Sequence, residues 1–326
     1  MKTDRRHFMG PIAGMAAVAS TSLGASGSAM PQVELPGCGI KMSRLGFGTG
    51  TVGGLTKQSV WAKRNGNKKA SMSSAEAEQL FLQSYDRGIT FFDLAEAYGT
   101  HGFCRDALKK VPREKVALMT KFWWRAQSQT PGKLSVRERE QFARDAFERY
   151  LRELNTDYID MLLLHLLEEP SWTEEMKPYM EVFSAYKERG LIKTLGCSCH
   201  SYGAMETAAT SSWVDVLLAR INPEGIRCDG NAEAVLKVLR RAKEQGTFVI
   251  GMKIYGAGKL VPDRDACMKF AQECGVLDAL TLGMSSVEQL NGGGWGGGRG
   301  AGGEEGRPRG ELIAIRARLR LSAGAA

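Results

Sequence analysis

Residues 158–195 read YIDMLLLHLLEEPSWTEEMKPYMEVFSAYKERGLIKTL. The first seven residues form a nearly continuous apolar run, which is typical of a strand covered on both faces. A helical stretch follows from about Thr173 to Arg189, and Gly190 is the kind of residue that ends a helix. A second apolar run, from Ile192 to Leu195, predicts another strand. Strands joined through a helix run parallel, so this segment predicts one β-α-β unit.

The same alternation continues on both sides of this segment. Helices are predicted at about 74–87, 135–154, 231–245 and 264–273, and a short one after Tyr202. The apolar runs that predict strands lie at 45–47, 89–92, 116–119, 158–164, 192–195, 214–218, 247–250 and 279–282, after a hairpin-like start at 33–47. Eight such units fit a closed sheet better than an open one. We therefore predict an α/β fold, a (β/α)8 TIM barrel, over residues 30–290.

The first 29 residues resemble an export signal. Arg5 and Arg6, followed by Phe8, are similar to the twin-arginine (Tat) pattern, although Asp4 stands where Ser or Thr is usual. Residues 10–29 contain no Lys or Arg and end in small residues suited to cleavage. We predict a signal peptide at 1–29, with the Tat machinery as partner, a periplasmic location and no stable membrane span after cleavage. A disordered basic leader is the alternative.

The other end of the chain departs from the barrel pattern. Residues 286–290 begin a last helix, but a glycine run starting at Gly292 cannot continue it, since glycine costs about 1 kcal/mol per helical position. We predict that 291–326 is a disordered Gly/Arg-rich tail and that the eighth helix is lost or replaced. This change of character resembles a fused tail or a reading-frame error, so a defective gene product is one alternative.

The composition and charge of the chain argue against a nucleic-acid-binding protein and against a disulfide-rich one. The apolar and charged fractions, 43% and 25%, are ordinary for a globular protein. The net charge is +8, but residues 1–29 contribute +2 and residues 291–326 contribute +3, which leaves +3 for the 261 residues between. No basic stripe with interleaved aromatic residues crosses the middle, so we expect no nucleic-acid partner. Seven irregularly spaced cysteines in a domain of this size do not indicate a disulfide framework.

Polar residues follow three of the predicted strands in a pattern that indicates chemistry. Asp93, Lys121 and His165 each close an apolar run, and Tyr98 lies five residues after Asp93. In a barrel of this type, catalytic residues gather at the carboxyl ends of the strands. These four residues are therefore the candidate catalytic group.

The four residue types are suited to proton transfer to a carbonyl oxygen. A free tyrosine has a pKa of about 10, and a nearby ammonium lowers it. Lys121 can supply that charge, Asp93 can hold the lysine, and His165 can orient a carbonyl beside the phenol. A tuned acid next to a polarised C=O is what hydride reduction requires.

Residues 92–99, FDLAEAYG, together with Lys121 and His165, resemble the tetrad and motif of the aldo-keto reductase family over about residues 33–290. The resemblance implies an NAD(P)H-dependent oxidoreductase that reduces an aldehyde or ketone. Tyr98 would be the general acid, Lys121 and Asp93 its tuning partners, and His165 the substrate orienter. The partner would be a small carbonyl substrate.

The cofactor side of the resemblance is weaker. Cys199 stands where the family usually has the asparagine of a Gly-x-Ser-Asn run, and Met252 stands where a stacking tyrosine is common. Ser285 and Gln289 carry no charge for a 2′-phosphate, so neither NADPH nor NADH is favoured. The predicted cofactor-binding residues are Gly48, Thr49, Ser198, Cys199, Met252, Lys253, Gly283, Ser285 and Gln289.

Other interpretations remain beside this one. The altered cofactor residues also fit a non-catalytic barrel that binds a cofactor or a partner. Residues 48–53 match G-x-G-x-x-G, but no helix start follows, so we interpret them as a tight loop at the barrel mouth. Cys197, Cys199 and His200 are too few ligands for a structural zinc site, and we predict no metal.

Overall fold

The computed structural model describes residues 30–50, 73–128 and 130–292. The predicted signal peptide at 1–29 lies outside the described residues. The predicted tail at 291–326 lies outside them too, except for Asn291 and Gly292, which are helical and not part of a disordered tail. In the part of the chain that is described, no helix has the length and apolar character needed to cross a membrane.

Eight parallel strands close into a barrel, which confirms the predicted (β/α)8 architecture. Going round the barrel, the strands follow one another in chain order, and the last pairs with the first through Leu280 and Leu45. The barrel strands are β3 (Leu45–Gly48), β4 (Phe91–Asp93), β5 (Ala117–Phe122), β6 (Ile159–Leu167), β7 (Ile192–Cys199), β8 (Val216–Arg220), β9 (Phe248–Met252) and β10 (Ala279–Gly283).

Helices lie between the barrel strands, and side-chain caps explain where several of them begin. Ser73 and Ser135 each accept the backbone N–H of a glutamate three residues later, which in turn bonds back to the serine N–H. Asn231 caps a third helix in the same way from its side chain alone. The helices are α1 (Ser74–Asp86), α2 (His101–Leu108), α3 (Val136–Leu154), α4 (Trp172–Glu175), α5 (Lys177–Glu188), α6 (Tyr202–Ala208), α7 (Ala232–Glu244), α8 (Arg264–Glu273) and α9 (Val287–Gly292).

Two helical details differ from the sequence prediction. The single helix expected at about 173–189 is two, α4 and α5, since Pro178 in the first turn of α5 has no N–H to continue a hydrogen-bonded ladder from α4. The helix α2, which follows Thr100, was not predicted at all. It has only eight residues and contains Gly102, which lowers the helix propensity of the segment.

The hairpin predicted at the start of the chain closes one end of the barrel. Strands β1 (Gln32–Glu34) and β2 (Lys41–Ser43) pair antiparallel, and Leu35 and Met42 pack in one cluster with the apolar side chains of the barrel lumen. The hairpin covers the amino end of the parallel strands. The carboxyl end is therefore the end left for a ligand.

Close strand packing depends on glycine in the lumen wall. A Cβ on Gly196 would lie 1.9 Å from the carbonyl oxygen of Val216 in the neighbouring strand, and a Cβ on Gly46 would lie 2.4 Å from the ring of Phe91. No side chain fits at either place. These glycines let the wall close while the aromatic ring fills the lumen.

Candidate active site

The four candidate catalytic residues converge at the open, carboxyl end of the barrel. Asp93 ends β4, Lys121 lies in β5 and His165 in β6. Because side chains alternate along a strand, these three point into the lumen while Phe92, Phe122 and Leu164 point outward into the helix layer. Tyr98 ends a short 3-10 turn, Glu96–Tyr98, just beyond β4.

Lys121 is held by its neighbours in a fully buried position. Its ammonium donates to a carboxylate oxygen of Asp93 and, at 2.8 Å, to the backbone carbonyl of Leu94. The other oxygen of Asp93 accepts a hydrogen bond from the Thr281 hydroxyl at 2.8 Å. The Lys121 ammonium lies 5.1 Å from the centroid of the Tyr98 ring. The structure thus brings the phenol and the ammonium together.

Tyr98 is fixed from several sides. Gly99, at φ 69°, ends the turn in the left-handed conformation that glycine adopts without strain. Gly50 lies against the ring, where a Cβ would come within 3.3 Å of the Tyr98 Cζ. The His165 ring meets the Tyr98 ring edge-on, with centroids 5.8 Å apart.

The electrostatics of Tyr98 correct the sequence-based expectation. Burial raises the pKa of the phenol, and the Lys121 charge, which lowers that pKa, offsets burial only in part. Burial also lowers the pKa of Lys121, but the Asp93 carboxylate and Tyr98 outweigh it, so the pKa of the ammonium is raised. Lys121 thus lowers the pKa of the phenol as expected, but burial outweighs it and the net direction is upward. Tyr98 is a protonated phenol beside a charged lysine.

His165 is a neutral imidazole. Burial lowers its pKa well below the usual value, and the charge of Lys121 adds to that effect. Among the described residues, nothing bonds to its buried Nδ1. The backbone at His165 is anchored, since Trp124 Nε1 donates a hydrogen bond to the His165 carbonyl at 3.0 Å. The next residue, Leu166, has φ 65°, and the pairing register between β6 and β7 shifts at this point. A neutral, anchored imidazole can orient a polar ligand.

Ser198 provides a second unsatisfied group in the lumen wall. Its hydroxyl is fully buried and has no partner within the described residues. A buried hydroxyl without a hydrogen bond is unfavourable, so a ligand that bonds to it would be stabilised. Ser198 therefore fits the predicted contact with a nicotinamide amide.

Cys199 does not fit that contact. Its side chain shares the outward face of β7 with Cys197, at a sulfur–sulfur distance of 3.8 Å, and packs in the core between barrel and helices. The contact with Cys197, and after it burial, raise the pKa of the Cys199 thiol. The predicted cofactor contact for the Cys199 side chain is wrong, because strand alternation turns it away from the lumen.

Thr49 also has a structural role. Its backbone N–H and its hydroxyl both donate to the Asp93 carbonyl, at 3.0 and 2.8 Å, and the hydroxyl contacts Thr100 at 3.0 Å. The side chain is fully buried. Its polar hydrogens are therefore committed to fixing the end of β4. Gly48 packs against Thr281, which a Cβ would approach to 2.9 Å.

The remaining predicted cofactor residues lie at the ends of β9 and β10. Met252 is nearly buried and packs with the lumen residues, whereas Lys253 and Gly283 are exposed. Ser285 N–H and hydroxyl contact the Gln289 side-chain oxygen at 2.8 and 3.1 Å, which braces the start of α9. Residues 283–292 contain no Lys or Arg. Ser198 thus fits the nicotinamide end of a cofactor. Residues 283–292 provide no cation for a 2′-phosphate.

Two further residues at this end were missed. Glu96 accepts hydrogen bonds from the Trp123 N–H at 3.1 Å and from the side chains of Arg149 and Tyr150, so it anchors the turn that carries Tyr98. Arg220, the last residue of β8, lies at the carboxyl end of the barrel, and its guanidinium bonds to the Asp229 carboxylate and the His200 carbonyl. The position of Glu96 between Asp93 and Tyr98 was the available signal for its role.

Among the described residues, no comparable cluster lies at the opposite end of the barrel. A cavity of about 1050 Å³ lies there, lined by Cys38, Tyr158 and Asp160 among others. The Asp160 carboxylate is already bonded to Arg113 at 2.7 Å and to the Leu118 N–H at 2.8 Å. Across the described ranges, no group of three or more His, Cys, Asp or Glu residues is placed to hold a metal ion.

Comparisons with known proteins agree with this geometry. The model of the Aldo/keto reductase family matches residues 44–270. The "Probable aldo-keto reductase 1" of Glycine max is 28% identical over 169 residues, which cover 51% of this chain and 44% of that protein. The "NADH-specific methylglyoxal reductase" of Escherichia coli K12 is 26% identical over 179 residues, 52% of each chain. The chain thus spans about half the length of the curated relatives it matches.

Solved structures share the fold. The aldo-keto reductase AKR11C1 of Bacillus halodurans, in its holo form, has a TM-score of 0.60 and 18% identity, with 81% of this chain and 89% of that chain covered. The thermostable aldo-keto reductase Tm1743 has a TM-score of 0.62 and 20% identity, with 81% and 93% covered. Because the family model matches well over half of its residues, the chain belongs to the aldo/keto reductase family.

Proposed function

We propose that this protein is an NAD(P)H-dependent oxidoreductase that reduces an aldehyde or ketone, with Tyr98 as the proton donor. The observation that carries the proposal is the buried cluster at the carboxyl end of the barrel, in which Lys121 contacts both Asp93 and the Tyr98 ring and His165 meets that ring edge-on. Family membership supports the same activity.

Each residue of the cluster has a distinct part. The protonated phenol of Tyr98 donates its proton to the carbonyl oxygen, and the adjacent Lys121 ammonium stabilises the phenolate that remains. Asp93 keeps Lys121 charged and in place. Neutral His165 offers an N–H to the carbonyl oxygen, which orients the substrate beside Tyr98.

Ser198 would hold the carboxamide of the nicotinamide through its unsatisfied hydroxyl, with Met252 beside the ring. When bound, the reduced nicotinamide supplies the hydride that the carbonyl carbon receives. Relatives are named both as NADH-specific and as NADP(+) enzymes, and the absence of Lys and Arg from residues 283–292 leaves both cofactors open.

Oxidation of NADH or NADPH in the presence of a panel of aldehydes tests this function. The Tyr98→Phe variant should lose about two to four orders of magnitude in kcat, because general acid catalysis is removed. Cofactor binding, followed by quenching of tryptophan fluorescence, should be nearly unchanged in that variant. Tyr158→Phe is the matched control, since Tyr158 lies at the opposite end of the barrel. Equal turnover by Tyr98→Phe and the parent protein would refute the proposed acid.

A non-catalytic, cofactor-binding barrel is the second candidate. The outward position of Cys199 and the bond between Ser285 and Gln289 favour it, because both remove expected cofactor contacts. Tight binding of NADH or NADPH without turnover of any carbonyl compound would support this candidate against the reductase.

Export to the periplasm through the Tat machinery completes the proposal. Its support is the sequence of residues 1–29, with Arg5 and Arg6 ahead of a stretch free of Lys and Arg. Replacing both arginines with lysine should retain the protein in the cytoplasmic fraction of a bacterial host. Equal periplasmic recovery of the variant and the parent would contradict this route.

A further inference from the structure

The Asp93 carboxylate is bonded from two sides by residues of two different strands. One oxygen accepts a hydrogen bond from the Lys121 ammonium of β5, and the other accepts one from the Thr281 hydroxyl of β10 at 2.8 Å. Asp93 and Thr281 are both buried, with 5% and 6% of their surfaces exposed. The Thr281 hydroxyl is therefore part of the same buried cluster as Lys121 and Tyr98.

The bond between Thr281 and Asp93 crosses a strand at a residue that has no side chain. Strand β3 lies between β10 and β4, and Gly48 of β3 pairs with Gly283 on one side and with Asp93 on the other. A Cβ on Gly48 would come within 2.9 Å of the Thr281 hydroxyl oxygen. A side chain at this position would therefore displace the hydroxyl, and the glycine keeps the path from β10 to β4 open.

The Thr281 hydroxyl acts on the Asp93 carboxylate in two ways. An ionised carboxylate only accepts hydrogen bonds, so the hydroxyl is the donor. A hydrogen bond to a carboxylate is charge-assisted, and it stabilises the charged form. Because this donor comes from beyond β3, on the side away from β5, it also fixes the rotation of the carboxylate and leaves the first oxygen directed at Lys121.

The charge of Asp93 reaches Tyr98 through Lys121. Burial lowers the pKa of the Lys121 ammonium, and the Asp93 carboxylate is the largest of the influences that raise it. The ammonium lies 5.1 Å from the centroid of the Tyr98 ring, where it stabilises the phenolate left by proton transfer. A misdirected Asp93 would therefore weaken the transition state and leave the binding of an aldehyde nearly unchanged.

We propose that Thr281 is a positioning residue of the reductase, whose hydroxyl reaches over Gly48 to hold the Asp93 carboxylate charged and directed at Lys121, and so supports proton transfer from Tyr98. This inference rests on the proposed reductase function. Thr281 contacts no reacting atom in this arrangement. Its effect on the reaction passes through Asp93.

The test compares three variants of the full chain. Thr281→Val removes the hydroxyl and keeps the branched shape, whereas Thr281→Ser keeps the hydroxyl. Thr194→Val is the matched control, because Thr194 is equally buried in β7 and its hydroxyl donates to the backbone carbonyl of Asp160 at 2.8 Å. The kcat and KM are measured for the aldehyde that the parent protein reduces fastest, and the Kd of NADH and of NADPH by tryptophan fluorescence.

Thr281→Val should lower kcat by about tenfold, which is the worth of a hydrogen bond to a charged group. The KM for the aldehyde and the Kd of the cofactor should change little, because the lost interaction acts in the transition state. Thr281→Ser should recover most of the kcat, and Thr194→Val should retain it. An unchanged kcat in Thr281→Val overturns the proposal, and so does an equal loss in the two valine variants, which would indicate a general effect on packing.

Repeating Thr281→Val in the Asp93→Asn variant separates action through Asp93 from any other cause. The amide carries no charge, and a charge-assisted hydrogen bond is roughly twice as strong as a neutral one. The loss of kcat from Thr281→Val should therefore fall from about tenfold to about threefold in this background. An undiminished loss would show that Thr281 does not act through Asp93.

Urea unfolding of the same proteins measures the contact without any turnover. Thr281→Val should lower the midpoint of the parent protein more than it lowers the midpoint of Asp93→Asn. Equal lowering in the two backgrounds refutes the contact. If the parent protein reduces no aldehyde, the reductase function fails and the positioning role fails with it, whereas the unfolding midpoints still show whether Thr281 and Asp93 are coupled.

Discussion

The barrel should lose stability as the pH falls from about 7 to about 5, because buried imidazoles cannot accept protons in the folded state. Burial lowers the pKa of His200 to about 3, and the charges of Arg220 and Lys253 add to that effect. Burial likewise lowers the pKa of His165, with Lys121 as the next cause. The folded-state pKa of His200 lies below this range, so its imidazole stays neutral in the folded protein.

The sign and size follow from linkage. In the unfolded chain a histidine has a pKa of about 6.5, so it takes up a proton as the pH falls through that value, whereas folded His200 does not. The unfolded state then binds more protons, and the free energy of unfolding falls. Between about pH 7 and about pH 5, His200 lowers the free energy of unfolding by about 2 kcal/mol. This value depends little on the folded-state pKa of His200, because that pKa lies well below 5. His165 adds a loss of the same sign.

Urea unfolding at the two pH values, followed by tryptophan fluorescence and circular dichroism, measures this loss. The His200→Gln variant should lose about 2 kcal/mol less than the parent over the same interval. Asp160 acts in the opposite direction, since burial raises the pKa of its carboxyl group, but it is present in both proteins and cancels. An identical pH dependence in the variant and the parent would show that His200 is not buried as described.

Three further changes test the packing. Gly196→Ala should destabilise the protein by about 3 kcal/mol or more in urea unfolding, because its Cβ meets the Val216 carbonyl at 1.9 Å; an unaltered midpoint would contradict the strand spacing. Ser73→Ala should cost about 1 kcal/mol through loss of the capping box with Glu76, and a cost near zero would mean that the cap is not formed. Glu96→Ala should lower the free energy of unfolding by about 3 kcal/mol, because it leaves buried donors without an acceptor. Glu96→Gln should recover part of this loss. Equal stability of the two variants would show that Glu96 does not anchor the turn that carries Tyr98.

Much of the architecture was predictable from local patterns. Apolar runs of strand length, all but one of them followed by a predicted helical stretch, predicted the eight parallel strands. Ser135 predicted the start of a helix that the structure begins at Val136. The boundaries moved by a few residues. The β7 strand extends from Ile192 to Cys199, beyond the predicted end at Leu195, since pairing with β6 and β8 continues through Gly, Cys and Ser residues of weak strand propensity.

The candidate site was predictable where a residue ends an apolar run, as Asp93, Lys121 and His165 do. The orientation of Cys199 was not, because a family motif gives the order of residues and strand alternation decides which way each one faces. The direction of the Tyr98 pKa was not predictable either. It depends on how deeply the phenol is buried, which no local pattern reports.

The amino-acid sequence alone determined that strands and helices alternate. It also determined that a carboxylate, a phenol, an ammonium and an imidazole follow the strands. The periodicity of apolar side chains is a local property, and it is legible in the chain. Only the tertiary structure decided that closure of the barrel unites Tyr98 with Lys121, leaves the Ser198 hydroxyl without a partner and brings the Thr281 hydroxyl to the Asp93 carboxylate. Distance, burial and charge balance arise between segments far apart in the chain, so they exist only once the barrel has closed.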